Sequence, residues 1–418
     1  MQKLIIKGKK RLTGTISISG SKNASLPILA ASILTNNVKL SNVPLVKDIY
    51  TMLDLLKFIG IKFRIIKDKK SIEFKKTNKP INTFAPYRLV KTMRAGVLVL
   101  GPLLTKYKKA KVSLPGGCAI GSRPVDLHLF ALKKLGANIK IKNGYIIAKA
   151  RNGLTGAKIN FPSVSVGATE NAILAAYAAK GKTTILNSAI EPEIIDLINF
   201  LRKLGSKIKV VNRKITIIGN GSSNKKVNHT IIFDRIEAGT YLIAGALLGK
   251  KISIKKTEPK VLKCEIDMLK KMGVKILVKN KNIYISKCKK LKKINISTKP
   301  YPGFPTDLQA QLMVLMTQAD GISKIKENIF ENRFMHIPEL RRMGAKIKIR
   351  NKTAHIFGTS SLNGAEVMAT DLRASVSLVL AGLIAENRTI INRIYHLDRG
   401  YESLETKLKK CNAEIKRV

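Results

Sequence analysis

Tryptophan is absent from the 418 residues, and aromatic side chains of every kind make up 5%. So few rings leave little to stack nucleobases on, which excludes the aromatic platforms of single-strand binders. Cysteine occurs four times, at Cys118, Cys264, Cys288 and Cys411, and never at C-x-x-C spacing. The five histidines, His128, His229, His336, His355 and His396, form no ligand cluster. A disulfide framework and a structural metal are therefore excluded, and a reducing compartment, the cytoplasm, is expected. The opening MQKLIIKGKKRL lacks the long apolar core of a secretory signal. No apolar run approaches the roughly 18 residues of a membrane helix.

Acidic residues are also scarce, 26 against 78 Lys and Arg, for a net charge of +52. Such an excess suits a phosphate-bearing partner. The lysines are spread along the whole chain, however, and no helix-turn-helix, zinc-finger or RRM signature accompanies them. Lys, Ile and Asn together are also what an AT-rich coding sequence supplies. An anionic small substrate is expected, without a specific nucleic-acid partner; a basic nucleic-acid-binding repeat scaffold is the rival.

What the chain does have is repetition. LLKFIGIKFRII (55–66), LKKLGANIKI (132–141), LRKLGSKIKVV (201–211), LKKMGVKILV (269–278), LRRMGAKIKI (340–349) and LKKCNAEIKR (408–417) are versions of one phrase. Their hinge residues are Gly60, Gly136, Gly205, Gly273, Gly344 and Asn412. They recur about every 70 residues, the mark of a duplicated folding unit. Basic residues end an amphipathic helix, where they suit its negative pole. Gly or Asn then takes the left-handed position, and alternating apolar and polar residues begin a half-exposed strand. The fold class is α/β, with six units of about 70 residues and two domains by length. Segments 111–114 and 182–186 read as further strands, and the polar GNGSSNKKVNH (219–229) reads as a connection.

Function is sought where a copy departs from the rest. LPGGCAIGSRPVDLH (114–128) is a mobile glycine loop carrying Cys118 near its tip. That thiol is a functional group or a buried filler. The other three cysteines read as fillers. ISISGSKNASLP (16–27) ends a strand and leads into an apolar helix over 26–34, placing Lys22 and Asn23 at its start. A Lys there suits an anion or is simply solvated; the Walker spacing is absent. Arg94 interrupts the apolar LVKTMRAGVLVLG (89–101) and must be paired or face a ligand. In PYPGFPTDLQAQ (300–311), Asp307 either caps a helix or does chemistry. ATDLRAS (369–375) and HLDRGY (396–401) bring Asp371 beside Arg373 and Asp398 beside Arg399, which surface ion pairs would also explain.

Taken in order, ISGSKNASLPILAA, KTMRAG, LPGGCAIGSRPVDLH, VSVGATEN, EPEIIDL, FPTDLQAQ, IFENRFMHIPEL, MATDLRAS and RIYHLDRGYE give the chain a likeness over essentially its whole length. It resembles the UDP-N-acetylglucosamine enolpyruvyl transferases (1-carboxyvinyltransferases) of the EPSP synthase superfamily. The resemblance implies two domains of three α/β units around buried helices. It places residues 21–229 in the first domain and 1–20 with 230–418 in the second, with the active site in the cleft between them. It also implies transfer of the enolpyruvyl group of phosphoenolpyruvate to the 3-hydroxyl of UDP-N-acetylglucosamine, with loss of phosphate, the first committed step of peptidoglycan synthesis. The shikimate 3-phosphate transferase of the same superfamily is the rival enzyme.

In that family Cys118 matches the general acid and the thiol alkylated by fosfomycin; thiolate attack on the enolpyruvyl carbon stays open. Asp307 matches the group that takes the hydroxyl proton. Lys22, Asn23, Arg123 and Arg399 match contacts to phosphoenolpyruvate. Arg94, the run Arg123, Pro124, Val125, Asp126 and Leu127, the run Ser163, Val164, Ser165, Val166 and Gly167, Asp307 and Ile329 match contacts to the nucleotide sugar. Asp371 and Arg373 match a supporting pair. Ser163 stands where relatives commonly carry Lys or Arg. No cofactor and no membrane partner is implied, and a monomer is expected.

Overall fold

The computed structural model describes residues 2–35, 37–75, 81–116, 125–219 and 225–418. They form two compact units, one of residues 20–116 with 125–232, the other of residues 2–19 with 233–418. Each has its own apolar core.

The repeated phrase folds as its residues dictate. Helices Lys47–Ile59, Asp126–Lys134, Pro192–Lys203, Lys263–Lys271, Ile337–Arg342 and Leu404–Lys409 each stop just before a hinge residue. All six hinges are left-handed, with φ between 72° at Asn412 and 107° at Gly60. A strand follows each: Lys62–Ile66, Asn138–Lys142, Lys207–Val211, Lys275–Lys279, Lys346–Arg350 and Glu414–Arg417. These six strands lie at sheet edges and point lysines outward, a charge pattern that discourages a second chain from adding to the edge.

Six four-stranded sheets result, three in each unit, and all share one pairing scheme. The edge strand pairs antiparallel with a second strand, which pairs antiparallel with a third, which pairs parallel with a fourth. Three of these strands come from far along the chain. Val227–Thr230 adds parallel to Val38–Ser41. Leu12–Ser17 adds parallel to Gly249–Lys255. Leu4–Lys7 lies between Arg388–Asn392 and Glu414–Arg417, antiparallel to both. The segment 219–229, expected to be a connection, thus ends as a strand; Val227 and His229 are buried on alternate positions, a pattern its polar composition hid.

Inside the sheets run six further helices. Lys22–Ala31, Leu100–Tyr107 and Val166–Ala176 belong to one unit, and Arg235–Leu248, Gln309–Met316 and Leu372–Ile384 to the other. They are apolar on nearly every side, as helices enclosed by protein must be; every residue of Arg235–Leu248 and of Gln309–Met316 is buried. The first begins earlier than expected. Ser21 caps it by accepting from the Ala24 amide, so Lys22 is already helical and Pro27 lies inside, with a 3-10 turn at Ser32–Leu34.

Asn412 offers a direct test of the hinge. A Cβ-bearing residue without Asn's local hydrogen bonds pays about 1 kcal/mol in the left-handed region. Asn412→Ala should lose roughly that much stability in denaturant unfolding, while Asn412→Gly should be nearly neutral.

Candidate active site

Several of the residues singled out in the sequence stand at or just before the starts of the inner helices of their own unit, among them Lys22, Ser165, Asp307 and Asp371. In the unit holding Lys22, that side chain is not solvated. It is buried, and its Nζ lies 3.0 Å from Oδ2 of the buried Asp48 at the start of Lys47–Ile59. Asn23 is the one residue of its helix that is not buried. Half-buried Arg94 opens the 3-10 turn Arg94–Val99 that runs into Leu100–Tyr107.

Ser165 caps Val166–Ala176 by accepting from the Ala168 amide at 3.3 Å. Ser163 and Val166 are exposed, and Val164 and Gly167 half-buried. Gly167 leaves room for an imidazole: a Cβ there would come within 3.1 Å of His128. The ring is fixed by Asn171. The Asn171 carbonyl oxygen accepts from the Gly101 amide at 2.8 Å, so its amide nitrogen donates to Val97 O and faces His128 Nδ1, each at 3.2 Å. Nδ1 therefore accepts, and the neutral ring carries its proton on Nε2. Burial, and secondly the charge of Arg94, push the His128 pKa down to about 3 from 6.5. Val125 is buried, Asp126 exposed and Leu127 half-buried at the start of the same helix as His128. Cys118, Arg123 and Pro124 lie outside the described residues.

In the other unit the centre is Asp307. It does not cap a helix, as it was free to do; Pro305 holds the cap position without a side-chain bond. Instead both carboxylate oxygens meet guanidinium groups, Oδ1 with Arg333 at 2.7 Å and Oδ2 with Arg373 at 2.6 Å. The side chains of Arg333 and Arg373 are 4% and 8% exposed, that of Asp307 27%. The cations are hidden and the carboxylate is reachable. Burial is the largest single influence on the Arg373 pKa and works to lower it, but the surrounding groups, Asp307 first among them, together raise it.

A buried acid holds the surroundings. Glu327 accepts from the hydroxyls of Thr298 and Thr306, both at 2.9 Å, and from the amides of Ile329 and Phe330 at 2.8 and 3.2 Å. It ties the residue before Asp307 to the exposed Ile329. Asp371 caps Leu372–Ile384 by accepting from the amides of Arg373 and Ala374. The expected pair of Asp371 with Arg373 is thus a backbone contact; the guanidinium goes to Asp307. Asp398 pairs through both oxygens, at 2.7 and 3.0 Å, with Arg417 rather than with the adjacent Arg399. Arg399 beside it is half-buried. Of the three other cysteines only Cys411 is fully buried; Cys264 and Cys288 are half-buried and pack against the core.

The sequence profile described as EPSP synthase (3-phosphoshikimate 1-carboxyvinyltransferase) matches residues 6–408. The chain belongs to the EPSP synthase family. Within it, the UDP-N-acetylglucosamine 1-carboxyvinyltransferase of Pelagibacter ubique is 58% identical over 419 residues, and that of Rickettsia akari 52% over 420, with all of each chain covered. Among solved structures, the enolpyruvyl transferase NikO of Streptomyces tendae is 25% identical with a TM-score of 0.90, covering 100% of this chain and 99% of its own. The EPSP synthase of Acinetobacter baumannii, 18% identical and matched over 100% of both chains, shares the fold at a TM-score of 0.76.

Sequence reasoning missed Asp48, His128, Asn171, Glu327 and Arg333. The signal for Arg333 was present in IFENRFMHIPEL, where a cation sits between aromatic and apolar residues. His128 makes a prediction. Its folded pKa of about 3 is below the ordinary 6.5, so between these values the unfolded chain binds a proton that the fold refuses. The stability this contributes is present above pH 6.5 and lost as pH falls. Thermal melts of His128→Asn should decline less on acidification through that window than those of the unaltered protein.

Proposed function

We infer that this chain transfers the enolpyruvyl group of phosphoenolpyruvate to the 3-hydroxyl of UDP-N-acetylglucosamine, releasing phosphate, in peptidoglycan synthesis. The observation that carries the reading is identity of 51–58% over the full length to transferases of that name. The site chemistry agrees with it. The sugar oxygen adds to C2 of the enol phosphate while its proton passes to Asp307. The methylene C3 gains a proton, which we assign to the Cys118 thiol. Phosphate then leaves C2 and C3 gives up a proton, restoring the double bond. Asp307 suits the base role because its carboxylate is reachable and fixed by two buried cations.

Lys22, Asn23, Arg123 and Arg399 are assigned to the phosphate and carboxylate of phosphoenolpyruvate. Arg94, residues 123–127 and 163–167, and Ile329 are assigned to the nucleotide sugar. Lys22 and Arg94 lie at the starts of helical turns, where backbone N–H groups add to the attraction for anions. No helix of the described residues is long and apolar enough to cross a membrane, and we place the reaction in the cytoplasm.

Phosphate release from phosphoenolpyruvate should require UDP-N-acetylglucosamine. Turnover with shikimate 3-phosphate alone would instead favour the acceptor named in the family description. Cys118→Ala should abolish release without loss of fold. Asp307→Asn should lower kcat by about 10²–10⁴, the usual worth of a positioned base.

A further inference from the structure

The segment RGYE (399–402) places one more group at this centre. Tyr401 is 3% exposed, and its hydroxyl meets three inner helices at once. It lies 2.8 Å from Thr240 Oγ1, 3.3 Å from Gln311 Nε2 and 3.3 Å from Arg373 Nη1. Thr240 belongs to Arg235–Leu248, Gln311 to Gln309–Met316 and Arg373 to Leu372–Ile384.

The protons can be assigned. The Thr240 hydroxyl donates to Ile236 O at 2.9 Å, so it can only accept from Tyr401. The single Tyr401 proton therefore points at Thr240. Its lone pairs are left for the two donors, the amide of Gln311 and the guanidinium of Arg373. The two N–H groups of Gln311 are shared among three acceptors, the Asp307 carbonyl at 3.0 Å, Thr240 Oγ1 at 3.2 Å and the Tyr401 hydroxyl. Burial raises the Tyr401 pKa, so the hydroxyl stays protonated and the direction of the chain is fixed. One edge of Arg373 is held on Tyr401 by Nη1 while Nη2 reaches Asp307 Oδ2. The charged groups facing this cluster are Arg333 and Arg373 at Asp307, and Asp307 and Asp234 at Arg373. His336 faces both Asp371 and Arg333.

We propose that Tyr401 is a positioning residue for proton removal: a relay from Ile236 through Thr240 and Tyr401 fixes the rotation of Arg373, and through it the orientation and basicity of Asp307. The inference rests on the reading of Asp307 as base. Tyr401→Phe removes the oxygen and keeps the ring. Arg373 then grips Asp307 less well, the carboxylate is less stabilised, and the acid limb of the kcat–pH profile moves to higher pH. With both substrates, kcat at neutral pH should fall about tenfold while both KM values stay within about twofold. An unchanged kcat and acid limb in a folded Tyr401→Phe protein, even with a lowered Tm, overturns the proposal.

If circular dichroism shows that variant unfolded, Thr240→Val deprives the tyrosine proton of its acceptor and is read by the same criteria. A shifted limb with lowered kcat supports the relay, and an unmoved profile ends it. Asp307→Asn is the control that separates the two readings. Full activity there defeats the base assignment itself. An inactive Asp307→Asn beside an unaffected Tyr401→Phe defeats only the relay.

Discussion

A helix sealed inside a protein satisfies its interior backbone groups but not its first N–H groups, which have no turn before them. Six such helices run through this chain, and each start must find polar partners in an apolar setting. Ser21, Ser165, Asp234 and Asp371 supply them as side-chain caps at four of the six, while Leu100–Tyr107 and Gln309–Met316 continue directly from 3-10 turns. The constraint concentrates hydrogen-bonding groups and positive helix ends at the same few places. An anion or a developing charge is best held there. The positions of Lys22, Arg94, Gly167, Asp307 and Arg373 follow from that requirement as much as from chemistry.

Around Asp307 the electrostatics are arranged asymmetrically. Two guanidiniums are kept from water while the acid they hold is partly open to it. Cations buried in this way cannot be left alone, because an uncompensated buried charge costs several kcal/mol. Asp307 is therefore fixed in place by the needs of its neighbours, and Glu327 holds the adjoining Thr306 with equal firmness. A carboxylate oriented so tightly has little reorganisation to undergo when it works.

What could be read from the sequence was local. A left-handed glycine, basic residues ahead of it and alternation after it lie within about a dozen residues, so six helix–hinge–strand units were legible. Arg94 and Asp307 were legible because each breaks an apolar or proline-rich run, and Lys22 because it stands where a strand gives way to a helix. Their partners were not. Asp48 is an ordinary first-turn acid until Lys22 meets it. Arg333 resembles any surface Arg until Asp307, 26 positions earlier, is placed beside it. The same holds for strands: Val227–Thr230 and Leu12–Ser17 carry alternation but no label for the distant strands they join. Polar composition disguised the first of these, since a parallel edge needs only two inward residues.

The placing of Leu4–Lys7 bears on how the molecule comes to be built. This strand fills the middle of a sheet whose other members, Glu366–Met368, Arg388–Asn392 and Glu414–Arg417, are synthesised long after it. Residues 20–116 and 125–232 form a unit whose parts emerge from the ribosome together, so it can complete itself early. Leu4 and Ile6, destined for the other core, must be kept from aggregation until those distant strands exist, whereas Leu12 and Ile16 can settle once Gly249–Lys255 is made. The lysines at positions 3, 7, 9 and 10 and Arg11 give that waiting stretch a repulsive charge of its own.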